Sequence, residues 1–436
     1  MQCRFCKTQL KDVFIDLINA PASNSFLSAE QLNEPEVYYP LKVYTCPVCF
    51  LVQVDEYKKS DAIFNSEYAY FSSFSTTWLE HSRKYTDRMV ERFGYTAGSR
   101  VIEIASNDGY LLQYFKQKGI PVLGIEPTAN TARVAIDKGI DTVVDFFGVR
   151  LAKELAARGL KADLLLGNNV LAHVPDIVDF VGGMKIILKD DGVITMEFPH
   201  LMQLVDNNQF DTIYHEHFSY LSFSTVKKIF ESRGLELFDV DEIPTHGGSL
   251  RIYARHAVGE DPAGAGKGPA TSGKGLATGN RDLATAGRAR PISPAVALLL
   301  EKEAVAGMTG MAYYEHFQQK ALAVKLAITA FLIQQKKAGK KVVAYGAAAK
   351  GNTLLNYCGI KNDLIEYVVD ANTHKQGKWL PGSHIPVVAE SVLRTDRPDF
   401  VLILPWNLRE EISRQLSYIK DWGGQFVIPI PNLQLI

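Results

Sequence analysis

The sequence lacks the features typical of secreted and membrane proteins. Its 436 residues contain five cysteines, too few for a disulfide scaffold, and we expect a reducing compartment in which thiols stay free for metal binding or chemistry. No apolar run reaches the ~18 residues of a membrane span, and the polar start MQCRFCKTQLKD is unlike a signal peptide. These absences predict a cytoplasmic protein that does not bind membranes.

An excess of charge of one sign is also absent. Lys and Arg number 47 against 48 Asp and Glu, which leaves a net charge of −1 and argues against a nucleic-acid partner. Hydrophobic residues make up 47% and charged residues 22%, the mix of an ordinary globular protein. At roughly 100–200 residues per domain, the chain is long enough for two to four domains. We also expect a monomer.

Four of the five cysteines lie near the N-terminus as two C-x-x-C pairs, Cys3 with Cys6 and Cys46 with Cys49. Two thiolates three residues apart can face one ion across a tight turn, and two such pairs complete a tetrahedral site. A redox dithiol would need only one pair. The pattern therefore predicts structural zinc, with all four ligands from protein, in a module over residues 1–75.

Apolar segments that alternate between strand and helix patterns follow over residues 76–256. Buried strands are predicted at 100–106, VLGIEP, DLLLGNN and GVITMEFP, with helices between the first three. This alternation predicts an α/β domain built on a parallel, doubly wound sheet.

The composition changes sharply after the strand predicted at 249–256. Residues 257–292 are rich in Gly and Ala, and we interpret them as a linker. A helix then begins at Ser293, a plausible N-cap, with Pro294 in its first turn. A second α/β unit completes a C-terminal region over 293–436.

The loop after the first strand of the central domain reads EIASNDG, residues 103–109. It opens a helix, and Gly109 would let backbone N–H groups approach a ligand. Glu126 ends the next strand, where a carboxylate can accept hydrogen bonds from two ribose hydroxyls. Because the loop lacks G-x-G-x-x-G, a cofactor without phosphates is favoured, and S-adenosylmethionine fits. The predicted cofactor contacts are Glu103, Ala105, Asn107, Gly109, Glu126 and Asn168.

Residues 211–220, DTIYHEHFSY, place two histidines, two carboxylates and two phenols close together. A neutral histidine can take a proton near pH 7 while a carboxylate fixes its tautomer and a phenol holds the substrate. His173, in LAHVPD after another predicted strand, is either structural or part of the same site. The segments predict acid–base chemistry at the carboxyl edge of the sheet.

Six segments together resemble the three-part sugar C-methyltransferases of antibiotic deoxysugar pathways. They are CRFC…CPVC, EIASNDGYLL, NNVLAHVPD, IYHEHFSYLS, HGGSLRIYARH and YGAAAKGNTLLNY. The resemblance covers nearly the whole chain and departs only at the Gly/Ala-rich stretch. It implies a zinc-binding module, a methyltransferase domain and a Rossmann-like C-terminal domain.

The same resemblance implies a thymidine-diphosphate-linked 4-keto-deoxysugar acceptor that is methylated at C-3′. It points to His217, Glu216, Tyr214 and His173 as catalytic candidates, and to a tyrosine of SEYAYFSS. We assign Tyr68 to catalysis and Tyr70 to substrate binding. Carbon methylation beside a ketone needs a base and a donor to the enolate oxygen. His217 is the predicted base, Glu216 a partner that fixes its tautomer or binds the sugar, and Tyr214 or His173 the donor to the enolate.

The C-terminal run GAAAKGNT, residues 346–353, joins a predicted strand to a helix. A helix N-terminus beside a lysine can bind phosphate, so Lys350 and Asn352 are predicted substrate contacts. Two other functions stay open at this stage. One is an NAD-dependent sugar oxidoreductase that uses this unit, and the other is a zinc-knuckle scaffold for nucleic acid.

Overall fold

A computed structural model describes residues 1–59, 63–64, 70–257 and 290–436 of the chain. Tyr68 and residues 258–289, most of the predicted linker, lie outside these described residues. Within them, the strands form three sheets of four, seven and six strands. No helix of the described part has the length and apolar character needed to cross a membrane.

The four-stranded sheet joins the N-terminal module to a distant part of the chain. Its strands are β1 (Asp12–Ala20), β2 (Tyr39–Thr45), β3 (Val52–Val54) and β9 (Ser219–Tyr220), in the order β1-β2-β3-β9. All neighbours pair antiparallel, and β3 contacts β9 through Val52 with Tyr220 and Gln53 with Ser219. The N-terminal sheet therefore includes the strand that directly follows His217 and Phe218.

The seven-stranded sheet is the centre of the molecule. Its strands are β4 (Val101–Ile104), β5 (Val122–Ile125), β6 (Thr142–Val143), β7 (Ala162–Asn168), β8 (Leu188–Pro199), β10 (Leu235–Ile243) and β11 (Ser249–His256). They lie in the order β10-β11-β8-β7-β4-β5-β6. Every residue of β4 is buried, as expected for a strand covered by helices on both faces. The predicted α/β class is confirmed.

One strand of this sheet departs from the predicted parallel arrangement. β11 lies between β8 and β10 and pairs antiparallel with both. The reason is the short connection PTHGG between β10 and β11, because a few residues can join antiparallel strands but not parallel ones. The sheet is parallel and doubly wound as predicted, except for this one antiparallel strand.

The helices of the central domain begin and end at local signals. They span Thr76–Phe93, Leu112–Gln117, Ala129–Asp137, Val149–Ala157, Ile177–Ile187, Leu201–Asp206 and Phe223–Glu231. Ser75 caps the first of them by accepting from the Trp78 N–H, and Gly94 ends it in the left-handed conformation. Glu303 accepts from the backbone N–H groups of Phe223 and Ser224, which places a buried carboxylate at the start of the last helix.

The six-stranded sheet belongs to the C-terminal domain. Its strands are β12 (Val342–Tyr345), β13 (Val368–Val369), β14 (Val387–Val388), β15 (Phe400–Ile403), β16 (Gln425–Ile428) and β17 (Gln434–Leu435). They lie in the order β14-β13-β12-β15-β16-β17, and β17 alone among these six pairs antiparallel. The helices of the chain after residue 290 are Pro294–Val305, Phe317–Lys337, Ala349–Cys358, Ser391–Asp396 and Arg409–Gln415. Ser293 caps the first of these helices, as predicted.

Hydrophobic packing is continuous between the N-terminal and C-terminal sheets. Phe14 of β1 stacks on Phe317 with ring centroids 4.7 Å apart. Phe218 and Leu354 are fully buried in the same cluster. The segment that carries the predicted catalytic residues is thus held between two domains.

Candidate active site

The four N-terminal cysteines come together as the spacing predicts. Their Sγ atoms all lie within 4.8 Å of one another, with 3.5 Å between Cys3 and Cys49 and 3.4 Å between Cys6 and Cys46. Four sulfurs at ~2.3 Å around a tetrahedral zinc ion would be ~3.8 Å apart, so the cluster fits this ion. Gln53 donates a hydrogen bond from Nε2 to Cys3 Sγ at 3.3 Å. The site is complete without a water ligand, which suits a structural role.

The predicted cofactor loop follows β4 and bends sharply. Ala105, Asn107 and Gly109 have φ values of 58°, 48° and 75°, so three residues of the loop adopt the left-handed region. A Cβ at position 109 would lie 2.4 Å from Ile140 Cδ1. Glycine is therefore required at position 109 by its φ and by the packing behind the loop. The prediction had given another reason, the close approach of a ligand to the backbone.

Glu126 lies at the end of β5, as predicted, and organises the loop. Its Oε2 accepts from the Asn107 N–H and its Oε1 from the Thr128 N–H, both at 2.9 Å. Burial raises the pKa of Glu126 to about 7, although these hydrogen bonds oppose the shift. The Thr128 hydroxyl also donates to Oε1. A carboxylate has about four lone-pair sites, so these three donors leave it able to accept from one ribose hydroxyl and not from both.

Two neighbouring strand ends carry buried polar groups. Glu103 on β4 and Asn168 on β7 lie beside the phenol of Tyr110. Neither side chain makes a hydrogen bond of normal geometry within the described part of the chain. Burial raises the pKa of Glu103 well above its usual range. Because an unmet buried polar group costs about 1–3 kcal/mol, this edge fits a ligand with polar atoms such as the amino-acid part of S-adenosylmethionine.

The end of the SEYAYFSS segment crosses the cofactor loop. The Ser72 N–H donates to Asn107 Oδ1 at 2.9 Å, and Asn107 Nδ2 donates to the Tyr70 carbonyl at 3.1 Å. The Ser73 N–H donates to Asp108 Oδ2 at 3.3 Å. Tyr70 is thereby held beside the loop, in agreement with its predicted place near the site.

Tyr214 and His217 form a hydrogen-bonded pair whose protons can be assigned. His217 Nδ1 lies 2.9 Å from the Thr212 carbonyl oxygen, which only accepts, so Nδ1 carries the hydrogen of the neutral ring. His217 Nε2 is then the acceptor for the Tyr214 hydroxyl at 2.8 Å. Burial lowers the pKa of His217 well below its usual value. The ring is therefore a neutral base with one lone pair.

His173 lies against this pair. Its ring centroid is 4.6 Å from that of His217 in an edge-to-face arrangement. Burial lowers the pKa of His173 to about 4, partly offset by a hydrogen bond to the Glu216 backbone. His173 follows the carboxyl end of β7, so the contact places His217 on the same edge of the sheet as Asn168. The two histidines predicted from separate segments share one site.

The other ionisable residues of the YHEH run face the N-terminal module, so Thr212 and not Glu216 fixes the tautomer of His217. Asn24 Nδ2 donates to both carboxylate oxygens of Glu216, at 2.8 and 2.9 Å. Burial raises the pKa of Glu216 to about 7. His215 Nε2 donates to the Pro40 carbonyl at 3.1 Å. Asn24 was missed because it stands in PASNSF, a run with no periodicity or motif.

A second group of polar residues lies on β8, β11 and the loop between β10 and β11. Glu197 accepts from Arg251 Nε at 2.7 Å and from His81 Nε2 at 2.8 Å, a buried ion pair that sequence reasoning missed. Asn169 Nδ2 donates to His246 Nε2 at 2.8 Å. Burial lowers the pKa of His246 to about 4. The HGG motif thus contributes a neutral histidine near the cofactor edge.

The C-terminal domain reaches the same segment through Trp406. Its Nε1 donates to Asp211 Oδ2 at 2.7 Å, and burial raises the pKa of Asp211 to about 6. Lys350 donates to Asn407 Oδ1 at 2.7 Å and lies 4.9 Å from the Trp406 ring. A cleft of about 500 Å³ lies beside these residues, lined by Gly247 and by the turn that contains Trp406 and Asn407.

Two residues at the carboxyl edge of the C-terminal sheet make internal contacts instead. Asn352 is 1% exposed, and its Oδ1 accepts from Asn356 Nδ2 at 3.2 Å, so its side chain belongs to the domain interior. Asp370, after β13, accepts from the Ala347 and Asn372 N–H groups at 2.7 and 2.8 Å. Asn352 therefore makes its contacts inside the domain, whereas Lys350 contacts the turn that contains Trp406 and Asn407.

The seven-stranded sheet, the loop after β4, the acid after β5 and the neutral base at the same edge define the class of S-adenosylmethionine-dependent methyltransferases. Family models match three stretches of the chain. They are described as "Putative zinc binding domain" over residues 3–64, "Methyltransferase domain" over 78–240 and "C-methyltransferase C-terminal domain" over 280–431.

The full chain is 34% identical over 438 residues to C-methyltransferase NovU of Streptomyces niveus, with 100% of this chain and 96% of NovU covered. The protein belongs to the C-methyltransferase family. Its cofactors are S-adenosylmethionine and a zinc ion on the four cysteines, as the sequence predicted.

More distant matches cover part of the chain. The ubiquinone biosynthesis O-methyltransferase of Actinobacillus pleuropneumoniae serotype 5b (strain L20) is 24% identical over 144 residues, 28% of this chain and 60% of that protein. The magnesium protoporphyrin IX methyltransferase of Synechocystis PCC 6803, solved with bound S-adenosylmethionine, is 14% identical at a TM-score of 0.31. That alignment covers 41% of this chain and 79% of the other.

Proposed function

We propose that this C-methyltransferase transfers a methyl group to C-3′ of a thymidine-diphosphate-linked 4-keto-deoxysugar. The observation that carries the proposal is the neutral Tyr214–His217 pair, in which Nε2 of His217 is 2.8 Å from a hydroxyl that can also donate to an enolate. Carbon beside a ketone becomes a nucleophile only when a base removes its proton and a donor stabilises the oxygen. The pair supplies both groups.

His217 Nε2 removes the C-3′ proton in this mechanism. The electrons of the broken C–H bond form the double bond between C-3′ and C-4′, and the carbonyl oxygen becomes an enolate. The Tyr214 O–H turns from Nε2 to this oxygen, which frees the base and stabilises the charge that develops. The Thr212 carbonyl keeps the hydrogen on Nδ1 and so fixes the tautomer that can act.

When bound, S-adenosylmethionine supplies an electrophilic methyl group on a sulfonium that is a good leaving group. Glu126 would hold its ribose, and the edge formed by Glu103 and Asn168 its amino-acid part. The loop residues Ala105, Asn107 and Gly109 give this site its shape. Tyr70, held beside the loop, and Tyr68 remain candidates for contact with the sugar.

The bound sugar nucleotide would contact both the central and the C-terminal domain. Glu216, whose pKa of about 7 allows it to accept or donate, is proposed to bind a substituent of the sugar. Lys350 is proposed to bind the diphosphate, because its ammonium contacts Asn407 and Trp406, two residues that line the cleft. The internal contacts of Asn352 give its predicted role less support.

An oxidoreductase function for the C-terminal unit finds no comparable support. The family model that matches residues 280–431 is described as a C-methyltransferase C-terminal domain, which favours methyl transfer over this alternative. We also propose that the enzyme is a cytoplasmic monomer without a nucleic-acid or membrane partner. Balanced charge supports the absence of a nucleic-acid or anionic-membrane partner, and light scattering after gel filtration tests the monomer.

Mass spectrometry tests the reaction directly. The purified protein is incubated with S-adenosylmethionine and a panel of 4-keto nucleotide sugars, and we expect a gain of one methyl group in at least one product. The matched control is the same sugar reduced to its 4-hydroxy form, which cannot form an enolate. Methylation of both forms would contradict the enolate mechanism, and methylation of neither would contradict the proposed substrate.

A further inference from the structure

Arg4 stands between two zinc ligands, Cys3 and Cys6, but its side chain makes its contacts outside the cysteine cluster. Its Nη1 donates to the Pro175 carbonyl at 3.0 Å, and its Nη2 donates to the Val54 carbonyl. The guanidinium carbon lies 5.3 Å from the centroid of the Phe218 ring, within the range of a cation–π contact.

The three partners of this guanidinium belong to separate parts of the site. Val54 ends β3, the strand that pairs with β9. Pro175 is two residues after His173, and Phe218 is adjacent to His217. One side chain therefore contacts the chain next to both histidines, whose rings lie 4.6 Å apart.

The backbone of Arg4 is tied to the cysteine cluster through Gln53. The Arg4 N–H donates to Gln53 Oε1 at 2.9 Å, and Gln53 Nε2 donates to Cys3 Sγ at 3.3 Å. Gln53 is fully buried and pairs with Ser219 of β9. The position of the guanidinium thus depends on the geometry of the first cysteine pair.

We infer that Arg4 is a positioning residue for methyl transfer, which couples the four-cysteine site to the arrangement of His173 and His217. The inference rests on the proposed role of these histidines. Arginine suits the task because its planar fork donates to two carbonyls at once while its face packs on an aromatic ring. Arg4 acts on the reaction only through the segments that it holds.

The test compares Arg4→Met and Arg4→Lys with the wild type as zinc-loaded, full-length proteins. Lys11→Met is the matched control, because it removes the same charge from an exposed position of the same module. Five quantities are measured: zinc per chain, S-adenosylmethionine affinity, kcat and KM for the sugar nucleotide that the wild type methylates, and deuterium uptake of residues 171–176 and 214–220.

We expect Arg4→Met to keep one zinc per chain and normal cofactor affinity. The variant should take up deuterium faster in both segments. Its kcat should fall ~10–100-fold while KM changes less than threefold, because a small misplacement of a base slows the reaction strongly. Arg4→Lys should lose less, and Lys11→Met should behave as the wild type.

Wild-type uptake in zinc-loaded Arg4→Met would overturn the inference, and so would faster uptake without loss of kcat. If Arg4→Met does not fold or lacks zinc, Arg4→Lys decides by the same criteria. If the wild type methylates none of the sugars, the proposed substrate is wrong, whereas the deuterium uptake still decides whether Arg4 holds the two segments.

Discussion

The Tyr214 hydroxyl lies 2.8 Å from Nε2 of His217, while Nδ1 of the same ring lies 2.9 Å from the Thr212 carbonyl oxygen. The lone pair of the base is therefore covered by the phenol until another acceptor takes the phenolic hydrogen bond. A ketone oxygen at C-4′ is such an acceptor. In the proposed mechanism the base therefore becomes available only when a sugar is bound, and the two residues have separate roles.

His217→Gln should bind cofactor and sugar nucleotide nearly normally but lose ~10²–10⁴-fold in methylation, since the basic nitrogen is gone. Exchange of the C-3′ hydrogen for solvent deuterium, followed with a non-methylating cofactor analogue, should fall equally. Tyr214→Phe, Glu216→Gln and His173→Asn serve as comparisons and should be less severe. If His173→Asn abolishes exchange while His217→Gln retains it, the two histidines have the opposite roles.

Glu126→Gln should weaken S-adenosylmethionine binding about tenfold at pH 8 and remove its pH dependence. A ribose hydroxyl donates to an ionised carboxylate more strongly, and the pKa of Glu126 is about 7 because of burial. In the wild type, affinity should therefore rise about tenfold between pH 6 and pH 8. Calorimetry at both pH values measures the affinity for S-adenosylmethionine. A wild-type affinity that is flat over this range would argue against Glu126 as the ribose acceptor.

Glu216→Gln should become more stable relative to the wild type as the pH rises. The pKa of Glu216 in the folded protein is raised by burial to about 7, above the ~4.5 of an unfolded chain, so this group disfavours folding increasingly between pH 4.5 and pH 7. Glutamine does not ionise. The melting temperature of the variant minus that of the wild type should increase by ~4–8 °C from pH 5 to pH 8.

A difference that stays constant with pH would mean that Glu216 keeps an ordinary pKa. Asp145→Asn, which removes a partly exposed carboxylate that pairs with Arg150 outside the site, is measured alongside as the control.

The sequence predicted best what local patterns encode. The C-x-x-C spacing determines which thiols can share an ion, and the buried run of β4 followed by a sharp loop indicates a ligand edge. The antiparallel direction of β11 could have been inferred from the few residues that separate it from β10. Contacts such as that of Asn24 with Glu216 could not have been inferred from the sequence, because they join segments that are far apart in the chain and show no periodicity.

The predicted catalytic residues illustrate the same limit. Their types were visible in YHEHFSY, but the tautomer of His217 depends on the Thr212 carbonyl, and the packing of His173 depends on how β7 and the 211–220 segment meet. Spacing gives residue types at an edge of the sheet, whereas proton positions require the folded contacts.

Cys46→Ser should bind less than half an equivalent of zinc and give less soluble protein, because a structural metal contributes its binding free energy to folding. Cys358→Ser is the control, since Cys358 is buried in the C-terminal domain and does not belong to the four-cysteine cluster. It should retain a full equivalent. Elemental analysis of freshly purified protein distinguishes the two, and equal zinc in both variants would contradict the assignment of the ligands.

Lys350→Met should raise KM for the sugar nucleotide ~10–100-fold, because a charge-assisted hydrogen bond to phosphate contributes about 1.5–3 kcal/mol. Cofactor affinity should not change, and kcat should change little, because the diphosphate is remote from C-3′. Lys340→Met is the matched control: Lys340 precedes β12, whereas Lys350 follows it, and its partner is Asp399. Steady-state kinetics with the sugar nucleotide that the wild type methylates give kcat and KM for both variants. An unchanged KM in Lys350→Met would argue against a diphosphate site at the cleft beside Trp406. A fall in kcat alone would indicate instead that Lys350 acts on the 211–220 segment through Trp406, which contacts both Lys350 and Asp211.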